Sequence, residues 1–424
     1  MSKTPSRALL AFALASAFAV PSFSAHAADA AAPAAAAASA PTVRAELGKL
    51  LNQAQDAVRA GKFADAAELI KQARALAGLT PYEAYVITRL NAQAAYGNGD
   101  VATTIRDFEA TLASEFMPAA ERRTIQEALI KIVYNAKQYP KAAKLIATWK
   151  AEGGKDPLLL SLLGQAYYLS EDWPAALVEL QAQANAEKAA NGKPSEKLLR
   201  MIASAQSGNK DDAGYGNTVF QLARYYPTAE YWQDVVARNT DPDLVAKRLD
   251  LDMLRLRQAI LGVKDGNAAV THAYLAQKAG YPAEAKALLE PALAAKLVST
   301  ATLKEATDAL RTANRTLDAD HAQAAANEAS ARQAKTGDGL VSLGLELVLD
   351  GQADKGLAMI EAGFTKGGLK NADDARLHQA YALYRAGRLP EAAKAFEQVQ
   401  GKDGARLLAD TWAAWIAIGG KLPG

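Results

Sequence analysis

The residues best suited to chemistry are few and scattered. Beyond residue 27 the chain of 424 residues holds three histidines, His272, His321 and His378, and it has no cysteine. None of the histidines stands in the H-E-x-x-H spacing that sets two imidazoles on one helical face for zinc. Each therefore reads as a solvated helix residue, and no metal is expected. The missing thiols exclude disulfides and thiolate metal sites. Six Gly-Lys pairs occur, at Lys49, Lys62, Lys155, Lys193, Lys402 and Lys421, and none is followed by Ser or Thr. A phosphate-cradling loop of that type is thus absent. No Gly-x-Ser-x-Gly elbow lifts a nucleophile out of a strand-to-helix turn. Reactive groups do not converge, so the chain reads as non-enzymatic and without a cofactor.

The sequence does supply apolar periodicity. Between Pro157 and Gln183 two amphipathic helices are expected, joined by a short turn. Leu160, Leu163, Gly164 and Tyr167 share one face of the first, at i, i+3, i+4, i+7. Trp173, Ala176 and Leu180 share the inner face of the second. A glycine inside a helix costs about 1 kcal/mol against alanine, so Gly164 marks a place where another backbone must come close. With Ala176 as anchor, the spacing returns at Ala66, Thr104, Ala142, Ala285, Gly356 and Ala392. Successive separations of 38, 38, 34, 109, 71 and 36 are one, one, one, three, two and one periods of about 36. Pro81, Pro118, Pro157, Pro194 and Pro227 keep nearly the same period and suit the opening of first helices, where a missing N–H costs nothing. Thr80 and Glu83 form a capping box ahead of one of them.

The Leu-Gly pair, the tyrosine three residues on and the small residue twelve after the glycine resemble the tetratricopeptide repeat. The resemblance covers residues 43–184 and 267–400 and fades over 200–265 and 295–335. It implies an all-α fold, an α-solenoid of helix-turn-helix repeats in which each unit is stabilised by its neighbours. It also implies that first helices line a concave groove, with the residues eleven and eight before each anchor facing it. Eleven before, the chain gives Gln55, Gln93, Lys131, Gln165, Tyr274 and Tyr381; eight before, it gives Val58, Tyr96, Tyr134, Tyr168, Gln277 and Tyr384. Glutamine and tyrosine can exchange hydrogen bonds with an extended peptide backbone while the rings pack on its side chains. The candidate protein-binding groove is Arg89, Gln93, Tyr96, Lys131, Tyr134, Gln165 and Tyr168, with Tyr274, Tyr381 and Tyr384 further on. The competing reading is that these tyrosines only fill the seam between successive first helices. The asparagines with which such repeats clamp a terminal carboxylate are missing from these positions.

In chain order, residues 1–27 read as a cleavable signal peptide: Lys3 and Arg7, an apolar run from Ala8 to Val20, and Ala25-His-Ala27 as the cleavage site. Residues 28–41 are an Ala- and Pro-rich flexible linker. N-terminal repeats are expected over 42–196, degenerate helical repeats over 197–335, C-terminal repeats over 336–400, and a capping helix and tail over 401–424. Within these, Tyr225, Tyr226, Tyr231 and Trp232 read as packing at a repeat junction, with a recognition patch as the alternative. Asp241 and Pro242 are expected to cap a long helix with a buried leucine face. Asp318 to Ala334 is nearly free of large apolar groups and should be an outer helix. Trp412 and Trp415 suit a helix that closes the end of the stack, or one that docks a partner.

Leader and composition point to export, most simply to the periplasm of a Gram-negative bacterium. Without Lys3 and Arg7 the chain carries 46 basic and 46 acidic residues, a balance that offers nothing to nucleic acid or an anionic membrane. Murein-cleaving transglycosylases that share a helical superhelix carry a Glu-Ser dipeptide, which this sequence lacks. The function expected is a periplasmic scaffold for protein–protein interaction in an envelope complex. Alternatives are an accessory to TonB-type energised transport, on the loose resemblance of the Tyr226-Pro…Tyr231-Trp junction, and a glycan- or peptidoglycan-binding module using the groove tyrosines.

Overall fold

The computed structural model describes residues 41–422 apart from 239–240, 242 and 263–264, so the leader and nearly all of the linker lie outside the described residues. Within them the structure is helical, with 21 α-helices, a single 3-10 turn and no strand. The chain divides into two compact units, residues 1–186 and 187–424. The division comes ten residues before position 196, and no division falls at 335 or 400, because one core cluster runs from Val219 to Ile416.

Unit 1 is a stack of four helical hairpins. They are α1 (Ala45–Arg59) with α2 (Phe63–Ala75), α3 (Pro81–Asn98) with α4 (Val101–Ala113), α5 (Ala119–Asn135) with α6 (Tyr139–Ala151), and α7 (Pro157–Leu169) with α8 (Trp173–Asn191), whose last residues belong to the second unit. Unit 2 holds α9 (Glu196–Gly208), α10 (Asp212–Tyr225), α11 (Ala229–Arg238), a 3-10 turn (Lys247–Leu249), α12 (Asp250–Leu261), α13 (Gly266–Lys278), α14 (Pro282–Ala294), α15 (Leu303–Ala322), α16 (Ala324–Gln333), α17 (Asp338–Leu349), α18 (Ala353–Lys366), α19 (Ala372–Arg385), α20 (Leu389–Glu397) and α21 (Ala405–Ala417).

One backbone device recurs at every repeat turn. The residue four before each anchor donates its N–H to the carbonyl nine before it: Lys62 to Ala57, Asp100 to Ala95, Gln138 to Val133, Asp172 to Tyr167, Tyr281 to Ala276, Gln352 to Leu347 and Arg388 to Leu383, at 2.8–3.1 Å. These are the six-to-one bonds that end a helix on a left-handed residue. That residue is Gly61, Gly99, Gly280, Gly351 and Gly387 in five turns, and Lys137 and Glu171 in the other two. The same bond from Asp211 to Gln206, with Lys210 left-handed, makes α9 and α10 an eighth hairpin in register. All seven anchors read from the sequence are buried. At Gly164 the close neighbour is a side chain and not the backbone expected: a Cβ there would lie 3.0 Å from Leu180 Cδ2 of α8.

Local chemistry fixes the entry to the stack. Thr80 and Glu83 form both bonds of the capping box. The same carboxylate accepts from the Arg44 backbone N–H and guanidinium at 2.8–3.0 Å. The Arg44 hydrogen bond holds the Glu83 carboxyl down at about 2. Asp107 joins three helices by accepting from Asn91 on α3 at 2.5 Å and Arg74 on α2 at 3.3 Å.

Unit 2 departs from the sequence reading between α11 and α12. Residues 243–246 are not helical, and the expected long helix starts only at Asp250. The segment pairs instead with the turn before α21, through Ala246 N–H to Asp403 O at 2.8 Å and Arg248 to both Asp374 and Asp403. Gly404 (φ 100°) allows this approach, since a Cβ there would lie 2.6 Å from Val245 Cα. The last helix accordingly packs inward on earlier helices of its own unit, with Trp415 edge-on to Trp232 of α11 at 5.2 Å. α16 buries no residue, in keeping with its composition.

Candidate functional site

The first helices of unit 1 bring seven of the candidate residues onto adjacent elements. Tyr134 on α5 donates its hydroxyl to Gln165 Oε1 on α7 at 3.4 Å, so the groove positions of consecutive repeats do meet. Tyr134 is half-buried and stands edge-on to Tyr139, the first residue of α6, at 5.4 Å. Tyr168 makes the equivalent contact with Trp173, the first residue of α8, at 5.6 Å. Tyr96 packs half-buried against the core shared by α3 to α7. The Tyr134 and Tyr168 rings thus lean on the hairpin turns, and all three rings are partly enclosed and partly open to solvent. Burial raises the Tyr134 phenol, which keeps it a donor at ordinary pH.

The polar members of the row differ. Lys131 is half-buried, and no carboxylate among the described residues pairs with it. Gln93 is half-buried with its amide nitrogen enclosed and without a hydrogen-bond partner. Arg89 is 5% exposed. Its guanidinium reaches Glu121 on α5 and the Tyr85 hydroxyl, so it ties α3 to α5 and is not a groove contact. The rim of the row at α7 is apolar, with Leu158 and Leu169 exposed.

In unit 2 the remaining candidates do not continue a row. Tyr274 is 59% exposed on α13, whereas Tyr381 is 5% exposed. Tyr384 is half-buried with its ring 4.7 Å from Trp412. The physical reason is the inward packing of α21, which fills the space that an open groove would need. Trp232 is fully buried, Tyr226 donates to Pro194 O at 2.8 Å and Tyr231 to Glu196 at 2.7 Å, so these aromatics at the 225–232 junction bind their own chain.

Sequence reasoning missed a buried charge cluster in unit 2. Arg255 lies in the core between the rings of Tyr281 and Tyr381, its guanidinium carbon 4.8 Å from each centroid. It donates to Glu284 at 2.7–3.2 Å and to Asp252 at 3.1 Å. Tyr381 donates to Glu284 at 3.3 Å. Burial alone would raise the Glu284 carboxyl, but Arg255 and His272 outweigh it and hold the group well below the carboxylate range. His272 is buried with Nε2 3.4 Å from Glu284 Oε1, and burial pushes the His378 imidazole down. Only His321 is the exposed residue expected, and it bonds Asp350 at 2.8 Å. The visible signal was Asp252 and Arg255 at i, i+3 within the leucine-rich helix; these two, with Leu256 and Ile260, form its buried face.

No protein-family model matches the chain, and no curated protein matches it. Among solved structures, the crystal structure of the yeast Tom70 is similar over 88% of this chain and 96% of that one, at 11% identity and a TM-score of 0.24. The helical-repeat fold stands on the eight hairpin turns in common register. Among the described residues no helix is long and apolar enough to cross a membrane.

Proposed function

We propose that the protein is a non-enzymatic scaffold, exported to the periplasm, which binds an extended segment of a protein partner in a cell-envelope complex along the inner face of unit 1. The observation that carries this reading is the row of half-buried Tyr96, Tyr134 and Tyr168 with Gln93, Lys131 and Gln165 on three successive first helices. Half-burial suits recognition, because the rings are already ordered and little rotamer freedom is lost when a ligand covers them. The amides and phenols offer donors and acceptors to a peptide backbone, and Lys131 offers an unpaired cation. The export reading rests on residues 1–27.

The test is capture from native envelope extract by the full chain and by a Tyr96→Ala, Tyr134→Ala, Tyr168→Ala variant, with thermal stability measured alongside. The reading expects a protein, retained after glycosidase treatment, whose affinity falls by several kcal/mol in the variant, since buried aromatics dominate interface energies. Unchanged capture by a folded variant would refute the groove. Capture that glycosidase abolishes would favour a glycan ligand.

A further inference from the structure

A second feature, independent of the groove, lies between α14 and α17. Glu346 on α17 is 8% exposed, and its Oε1 accepts the Ala283 N–H at 3.0 Å. Ala283 is the second residue of α14 and Pro282 before it has no N–H, so this carboxyl meets the first free donor of that helix. The other oxygen, Oε2, is enclosed without a hydrogen-bond partner. The bond spans 63 positions and joins helices from different hairpins.

The two helices of the hairpin that carries Glu346 are locked to each other, and Leu345, Val348 and Ile360 seat them on the core of unit 2. A Cβ on Gly344 would lie 2.6 Å from the Gly356 carbonyl oxygen, and one on Gly356 2.4 Å from that of Gly344. Gly337 donates to Gly367 O at 2.8 Å, which joins the other end of the two helices. The preceding α16 buries nothing and meets the hairpin through surface contacts, Glu328 with Lys355 at 3.4 Å and the Arg332 carbonyl with Lys366.

Charge around Glu346 is mostly acidic. Glu284 faces it from α14, Asp320 from α15 and Asp350 from the end of α17. Glu284 is committed to Arg255 of α12 and Tyr381 of α19, and Asp350 to His321 of α15. Glu328 and Arg332 of α16 and Lys355 of α18 pair among themselves, while on α19 Arg385 binds Tyr381 and His378 lies near Asp252.

We propose that Glu346 is a proton-controlled pin, which seats the α17/α18 hairpin on the first turn of α14 while neutral and releases it on ionisation. When neutral, the carboxyl keeps the Ala283 bond through Oε1 and leaves only the O–H on Oε2 unpaired, a smaller cost than a buried charge. An ionised one would be left with a single hydrogen bond, in an apolar interface with like charges nearby, a costly state. Burial, with Asp350, Glu284 and Asp320, pushes this carboxyl up to about 8 against the Ala283 hydrogen bond. The sign follows from linkage. The folded unit holds a proton that the unfolded chain has already released, so stability falls as pH rises from the ordinary carboxylate range through about 8.

The experiment is amide exchange of the full chain by NMR across neutral to mildly alkaline pH. Protection at Ala283, corrected for base catalysis, should fall by up to tenfold per pH unit as pH rises toward about 8 and level off above it, while Gln138 in unit 1 stays unchanged. Glu346→Gln keeps the acceptor, cannot ionise and should hold Ala283 protection constant. Asp350→Asn leaves the pin in place, removes a neighbouring charge and should move the release to lower pH. The same pH profile in wild type and Glu346→Gln would overturn the proposal. If the Gln variant does not fold, an unmoved profile in Asp350→Asn would overturn it.

Discussion

At the residue scale, Arg255 separates stability from specificity. A buried ion pair is often no more stabilising than well-packed apolar groups of similar volume, yet removing one partner leaves an uncompensated charge. Arg255→Ala should therefore cost about 3–5 kcal/mol. Arg255→Met combined with Glu284→Gln should recover most of that loss. Urea denaturation of the single and double variants measures both, and a single-variant loss below about 1 kcal/mol would mean that Glu284 finds water or another partner. The cluster was illegible in sequence because its members stand at 252, 255, 272, 284 and 381. Only the tertiary closure of unit 2 makes them neighbours. The row Tyr96, Tyr134, Tyr168 was legible for the opposite reason, since a single repeat period places all three.

At the element scale, the glycines of the hairpins differ in what they admit, and the difference predicts their mutability. Gly164 faces the end of a flexible leucine side chain at 3.0 Å, whereas Gly356 faces the Gly344 carbonyl oxygen at 2.4 Å. Alanine gains about 1 kcal/mol in helix propensity at either position. Leu180 can shift, so Gly164→Ala should be near neutral. A carbonyl cannot, so Gly356→Ala should cost about 1–3 kcal/mol net. Thermal denaturation of the two variants checks the order, and equal losses would show that backbone proximity is not what sets the cost. The turns also bear on which repeats are legible in the sequence. Five of the seven turns legible there carry glycine at the left-handed position. The α9/α10 hairpin escaped because half-buried Tyr215 stands where other repeats have a small buried anchor. Periodicity found hairpins wherever burial required small residues. A helix over 401–424 was legible, but what α21 packs against was not, since that depends on Gly404 meeting Val245 across a long stretch of chain.

At the scale of the whole molecule, the two units apply the same hairpin to different ends. Unit 1 leaves its polar-aromatic row half-open, whereas unit 2 buries Tyr381 in a closed core. The account therefore assigns recognition to unit 1, and the most direct test is site-specific photocrosslinking in cells that express the protein natively. One photoreactive side chain replaces Lys131 on the inner face of α5, and another replaces exposed Lys144 on the second helix of the same hairpin. Both probes sit on a single repeat, so folding and abundance are matched. The account predicts a discrete protein adduct from position 131 and none from position 144. An adduct from position 144 alone, or no protein adduct from position 131, would contradict it.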